Sequence, residues 1–321
     1  MYNYPFDTPR FMKTDTAARK YLKDYRPPDF TIDRCELEFV IGEDHTRVQS
    51  RLHIRRLTED RQAPLKLDGV GLKLIDVMID EAFLDDPDFS YDGNSLTIPF
   101  VPHDFLLQTT VEIDPASNTR LEGLYKSNGN YCTQCEAEGF RHITFYVDRP
   151  DVMAVFTTVI RADKASCPVL LSNGNKIDAG EDGDRHWVKW HDPYPKPSYL
   201  FALVAGDLAC KSGSFTTRSG REVKLEFYSE PHNIEQCDFA LESLQKAMRW
   251  DEERFGLEYD LDLYMVVAVD DFNMGAMENK GLNVFNTQYV LADPQTATDD
   301  NYLASRASSD TSISTTGPAT A

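Results

Sequence analysis

Alternation with a period of two runs through most of this chain, and no other property constrains its fold as strongly. Over residues 31–41 the apolar side chains of Cys35, Leu37, Phe39 and Ile41 alternate with Arg34, Glu36 and Glu38. That is the pattern of a strand with one face buried and the other in water. Val48, Leu52 and Ile54 repeat it, as do Ile75, Val77 and Ile79. Asn173-Gly174 predicts a hairpin turn between residues 169–171 and a strand near 187–190. Ser219-Gly220 predicts another, between 214–217 and 223–228. Strands that follow one another without helices between them predict an antiparallel sandwich or saddle.

The pattern changes near residue 233. Asn233 followed by Gln236 has the form of a capping box, and Leu241, Leu244 and Met248 then fall on one face at helical spacing. With Gly256 as a C-terminal stop, a helix is predicted over 234–255, followed by a buried strand over 263–269. Gly206-Asp207 is the expected boundary between a β domain (1–207) and a mixed α+β second part (208–303). A length of 321 residues is too great for one core and suits about two domains. From Ala304 the residues are nearly all small or hydroxylated, and 304–321 is expected to be a disordered tail.

Charge narrows the function. Fifty-three Asp and Glu against 33 Lys and Arg give a net charge of −20, whereas a nucleic-acid partner wants a basic footprint. The apolar stretches near 264–269 and 199–205 are far shorter than the roughly 20 residues of a membrane span. The opening fifteen residues place prolines and charges where a leader would carry an apolar run. The expectation is a soluble cytoplasmic protein with no nucleic-acid or membrane partner. Six cysteines in a chain of this length do not read as a disulfide framework. Cys132 and Cys135 are half of a zinc ribbon without its second pair, and are expected to pack rather than react.

The segment most able to carry chemistry is Phe272-Asn273-Met274-Gly275-Ala276-Met277-Glu278-Asn279, between the strand at 263–269 and another expected at 281–286. Gly275 and Ala276 leave the backbone open for an extended peptide to pair with that edge, and Glu278 is placed to meet a cationic group on it. On the residues alone a tight turn with a solvated glutamate is the simpler reading.

GAMEN at 275–279 resembles the exopeptidase motif of the M1 zinc aminopeptidases. The similarity extends through VVAVDDFNMGAMENKGLNVFNTQYVLA, RWDEERFGLEYDLDLYM, TTRSGREV, PYPKPSYLFALVAGD and CTQCEAEGFRHITFYVDRPDV, from about residue 20 to Leu303. The resemblance implies an N-terminal β-saddle domain followed by the first part of a thermolysin-like peptidase domain. It implies that Glu278 binds the free α-ammonium of a peptide, with Glu136 as a second anchor. It further implies that Gln134 lines the pocket for the first side chain, that Met274 cushions it, and that Gly275 and Ala276 contact the peptide backbone. Two carboxylates on one ammonium make charge-assisted hydrogen bonds, and a blocked N-terminus would leave both without a partner.

The family binds Zn²⁺ through HExxH on a helix, with the intervening Glu as general base. None of the seven histidines here forms that pair, and the last is His232. The chain is therefore expected to bind no zinc and to lack peptidase activity by itself; its oligomeric state is left open. The competing reading is a non-catalytic β-sandwich module that binds peptides or regulates.

In the family, sequence like residues 296–303 runs directly into HExxH. Asp310-Thr311-Ser312 written GAC-ACG-AGT contains CAC and GAG, His and Glu, one frame over. Extended both ways, all of 304–321 permits GIESVIGHEYFHNWTGNR. The expectation is a gene with one base lost in a G run after the Leu303 codon, and a nucleotide read across that codon checks it.

Overall fold

The computed structural model describes residues 21–316. The opening segment discussed above and residues 317–321 lie outside them. The first part contains β1 (Phe30–Ile41), β2 (Thr46–Arg56), β3 (Leu65–Asp68), β4 (Lys73–Ile79), β5 (Ala82–Phe83), β6 (Ser90–Tyr91), β7 (Ser95–Ile98), β8 (Asp104–Ile113), β9 (Gly123–Ser127) and β10 (Asn130–Gln134). It continues with β11 (Met153–Asp163), β12 (Val169–Ser172), β13 (Asn175–Asp182), β14 (Arg185–Pro197) and β15 (Leu203–Gly206). The second part holds β16 (Ala209–Thr216), β17 (Glu222–Ser229), α1 (Asp238–Phe255), β18 (Leu263–Val269), β19 (Ala276–Met277), β20 (Leu282–Asn286) and α2 (Asp299–Thr316). The fold is mostly β, with a mixed second part.

The main sheet has eight strands in the order β13-β14-β11-β1-β2-β8-β4-β5. All its pairings are antiparallel except β1 with β11, where Arg34 lies opposite Val155. Cys35, Leu37, Phe39 and Ile41 are buried along β1, as the alternation predicts. A four-stranded sheet, β12-β15-β10-β9, and a three-stranded one, β3-β7-β6, complete the first part. Aromatic rings from separate elements fill the space between: Phe140 packs edge-on to Tyr146 at 5.0 Å and to Phe201 at 5.3 Å, and Phe201 stacks on Phe39 at 5.9 Å. Such pairs add about 0.5–1.5 kcal/mol each beyond the area they bury. Below them Lys196 and Asp192, 2 % and 0 % exposed, form an ion pair at 3.0 Å, with the ammonium 4.0 Å from the Phe156 ring centre.

The turn at Asn173-Gly174 is not the predicted hairpin. β12 pairs with β15, and β14 takes β13 as its partner through a turn at Gly183. Asn173 is buried and spends its amide elsewhere. Its Nδ2 donates to the Leu200 carbonyl (3.0 Å) and the Lys280 carbonyl (2.8 Å), and its Oδ1 accepts from Ala202 N–H (2.7 Å). Gly174 is required next to it, at φ +89°, because a Cβ there would stand 2.2 Å from the His191 carbonyl oxygen. The pair therefore makes a corner that ties the first part to the second. Ser219-Gly220 does make a hairpin turn, between β16 and β17, with Gly220 at φ +90°.

The second part is a five-stranded sheet, β16-β17-β18-β20-β19, in which β17, β18 and β20 run parallel. α1 makes the crossover from β17 to β18 and buries Ala240, Leu244, Ala247 and Met248 on the sheet. Its N-terminus differs from the capping box predicted. Pro231–Cys237 is a 3-10 stretch in which Gln236 donates to the Asn233 side chain at 3.2 Å, and no side chain caps α1. Gly256, left-handed at φ +72°, closes the other end by donating to the Glu252 carbonyl.

The disordered tail expected from Ala304 is also corrected, because α2 continues through it to Thr316. Asp299 and Asp300 favour its N-terminus, and no glycine or proline interrupts it before Gly317. Ser305, Ser309, Ser312 and Ile313 fall on one face at helical spacing and are buried. Small side chains let this polar face approach its neighbours closely, and Ser305 Oγ donates to the Val290 carbonyl, while Ser309 Oγ turns back within the helix to the Ser305 carbonyl. Ser314 Oγ donates to Asp251 of α1 at 2.9 Å, and Tyr302 packs edge-on to Phe239. Burial raises the Asp251 carboxyl above its usual 3.8, against the lowering effect of the Ser314 hydroxyl. A raised carboxyl holds its proton more tightly folded than unfolded, so stability falls as pH climbs from 3.8 through the folded value. Asp251→Asn is thus expected to raise the melting temperature at neutral pH, with a gain that vanishes below pH 3.8. A gain that persists in acid would mean that charge burial is not the cause. No helix among the described residues is long and apolar enough to cross a membrane.

Candidate functional site

The two segments singled out by sequence meet where the first part abuts the second. β10 pairs with β9 and β15, which fixes the direction in which it delivers Gln134, Cys135 and Glu136. Gln134 is 1 % exposed, and Glu136, after the strand ends, is exposed. Gly139 N–H returns to the Cys135 carbonyl at 2.8 Å and closes the turn, where any Cβ on Gly139 would lie 2.4 Å from the Gln134 carbonyl oxygen. The Glu136–Ala137 peptide is cis.

The other segment arrives from β18. Asp271 is gripped by the first part: its carbonyl accepts from Tyr125 Oη, its carboxylate from Ser127 Oγ, both at 3.1 Å. Asn273 Nδ2 donates to the Leu121 carbonyl. Gln134 Nε2 then bridges the two segments, donating to the Glu136 carbonyl at 3.1 Å and to Met274 Sδ at 3.2 Å. Residues 276 and 277 form β19, paired antiparallel with β20 as Ala276 to Phe285 and Met277 to Val284, while Gly275 O accepts from Asn286 N–H. β19 ends its sheet, so its outer edge pairs with no strand among the described residues. Glu278 follows, half-buried, and the chain is then pinned by Lys280, whose ammonium bonds both Asp260 oxygens at 2.9 Å and lies over the Tyr194 ring.

Burial, with the carboxylates of Glu136 and Glu278 adding to it, raises the phenol of Tyr199. One side chain is thus within the field of both glutamates, which come from different parts of the fold. All six residues named for substrate contact (Gln134, Glu136, Met274, Gly275, Ala276 and Glu278) lie on these two segments. Sequence reasoning missed Tyr199, Lys280 and Asn173. Pro195 and Pro197, which fix the backbone just before Tyr199, were the available signal for the first.

Cys132 and Cys135 are reduced and buried, and burial pushes the Cys132 thiol up to about 12 and that of Cys135 well above its usual value. A thiol so raised is neither a nucleophile nor a ready metal ligand. No three His, Cys, Asp or Glu side chains among the described residues form a group that could hold a metal ion. Arg306 and Asp310 are the charged side chains of α2 beyond Leu303, and neither nitrogen nor sulfur donors for zinc accompany them. Among the described residues the available donors do not fit the family's metal.

Residues 37–200 match the model of the peptidase M1 N-terminal domain, and residues 239–307 that of the peptidase family M1 domain. Aminopeptidase N of Escherichia coli K12 is 54 % identical over 294 residues, which is 90 % of this chain and 33 % of that protein. The Caulobacter vibrioides aminopeptidase N is 53 % identical over 292 residues, 91 % of this chain and 34 % of that one. Among solved structures, Legionella pneumophila aminopeptidase A in complex with aspartic acid superposes with a TM-score of 0.88 at 36 % identity, covering 92 % of this chain and 35 % of its own. The chain spans about a third of the length of the curated relatives it matches.

Proposed function

The chain belongs to peptidase family M1, and on that premise we propose that it carries the substrate-ammonium portion of a zinc aminopeptidase site. Glu136 and Glu278 would each accept an N–H of a peptide's free α-ammonium. Gln134 and Met274 would line the space for the first side chain, and the open edge of β19, with Gly275 and Ala276, would pair with the peptide backbone. The observation that carries this reading is the Gln134–Met274 contact at 3.2 Å. It locks the strand end bearing Glu136 to the GAMEN segment bearing Glu278, and a solvated turn would have no need of such a lock.

Zinc and its general base, which in the family sit on the helix after Leu303, are not provided by the side chains of α2. The reading therefore gives this chain peptide recognition without hydrolysis. Titration calorimetry with alanyl-alaninamide and its N-acetyl form tests the first half: the free amine binds, the acetylated peptide does not, and equal binding rejects the proposal. With Zn²⁺ added, the purified chain is expected to leave an alanyl anilide intact; turnover above a host-enzyme blank rejects the second half.

A further inference from the structure

Tyr199 sits on the 3-10 turn Ser198–Leu200 that follows β14. That turn is fixed at both ends. Ser198 Oγ donates to the buried Asp148 carboxylate at 2.6 Å, and Phe201 N–H returns to the Ser198 carbonyl at 3.0 Å while its ring stacks in the aromatic core. The Tyr199 ring is half-buried, so it is a placed group and not a free surface side chain.

Beyond Tyr199 and Glu136 opens a cleft of about 950 Å³, lined also by Leu22, Tyr25, Ala137 and Arg149. Its outer wall is braced: Tyr25 Oη donates to Asp151 at 3.0 Å, and Arg149 Nε donates to the same carboxylate at 2.8 Å. A space of this size accommodates several heavy atoms past the position of a bound ammonium. Two carboxylates penalise an uncharged N-terminus because they are left without a charged partner. They do not fill space, so a peptide extended by one residue could still pass an amide N–H to one of them and continue into the cleft. Excluding it takes bulk, and Tyr199 is a bulky side chain that lines the cleft beside Glu136 and lies within the field of Glu278 as well.

Resting on the ammonium reading above, we propose that Tyr199 is the stop that ends a bound peptide at its first residue, its ring separating the Glu136–Glu278 site from a cleft otherwise large enough for an N-terminal extension. The hydroxyl is secondary, and the volume of the ring is what counts.

The test is the ratio of dissociation constants for N-acetyl-alanyl-alaninamide and alanyl-alaninamide, measured by calorimetry on the whole chain. In the unmodified protein the ratio is expected to exceed about tenfold, and Tyr199→Phe, which keeps the bulk, is expected to preserve it. Tyr199→Ala and Tyr199→Ser, each checked by its melting temperature, are expected to lower it by at least about threefold, leaving the part that the two carboxylates supply. A second measurement needs no substitution: affinity for N-methyl-, N-ethyl- and N-propyl-alanyl-alaninamide should fall at each step, since all three stay cationic while their bulk grows. A ratio unchanged in both truncated variants, or equal binding along the N-alkyl series, overturns the role of Tyr199 alone. An unmodified protein that does not prefer the free amine overturns the ammonium reading and this proposal with it.

Discussion

Glu278→Gln is expected to weaken alanyl-alaninamide binding by roughly ten- to a hundredfold while leaving the acetylated peptide at its low affinity. The substitution keeps the shape of the side chain and removes its charge, so the loss reports one charge-assisted hydrogen bond, about 1.5–3 kcal/mol. Glu136→Gln should act in the same direction. The double variant should lose less than the sum of the two, because both carboxylates act on one ammonium. The half-buried position of Glu278 argues for the larger of the two single effects, since the exposed Glu136 is better screened by water. Calorimetry at low and physiological salt gives all three values, and a Glu278→Gln chain that binds as tightly as the parent removes the ammonium role from this residue.

The second large effect is expected at the buried ion pair. Lys196→Ala leaves the Asp192 carboxylate fully enclosed without its cation and should cost about 3–5 kcal/mol of folding stability. Replacing both partners, as Lys196→Met with Asp192→Leu, should recover most of that loss, because the desolvation of two charges disappears with the charges. Urea denaturation of the two variants beside the parent reads this directly. A double variant no more stable than the single one would show that the orphaned Asp192 charge is not what destabilises the Lys196→Ala chain. The pair also bears on the site, since Lys196 immediately precedes the Pro197-Ser198-Tyr199 turn; a Lys196→Ala chain that folds should discriminate less well against the acetylated peptide.

What could be read from residues alone followed how local the determining physics is. The burial of β1 and the hairpin at Ser219-Gly220 depend on side-chain alternation and on one positive φ, both written within a few residues. Asn173-Gly174 carries the same turn chemistry, but its asparagine is claimed by carbonyls of Leu200 and Lys280, far away in sequence, and no local pattern announces that. α2 was missed for the opposite reason. Its composition offers Ile313 as the one large apolar side chain between Ala304 and Thr316, yet serines three and four residues apart bury well where a neighbouring helix comes close. The site itself was legible mainly through the family resemblance: as bare residues Glu278 read more simply as a solvated turn, and Tyr199 became visible only once two parts of the fold were brought together around it.

The parallel pairing of β1 with β11 has a consequence for how such a chain is made. Arg34 finds its partner Val155 roughly 120 residues later, so on a ribosome adding ~5–20 residues per second the strand waits on the order of ten seconds for its neighbour. Until then β1 has β2 on one side and an unfilled row of backbone donors and acceptors on the other, with apolar Leu37 and Phe39 still uncovered. Closing so long a loop also makes this a slow-folding topology. The interval between synthesis of β1 and arrival of β11 is therefore the period in which the nascent chain most needs a chaperone, and lengthening it by slow codons between residues 41 and 153 should lower soluble yield before it alters any property of the folded protein.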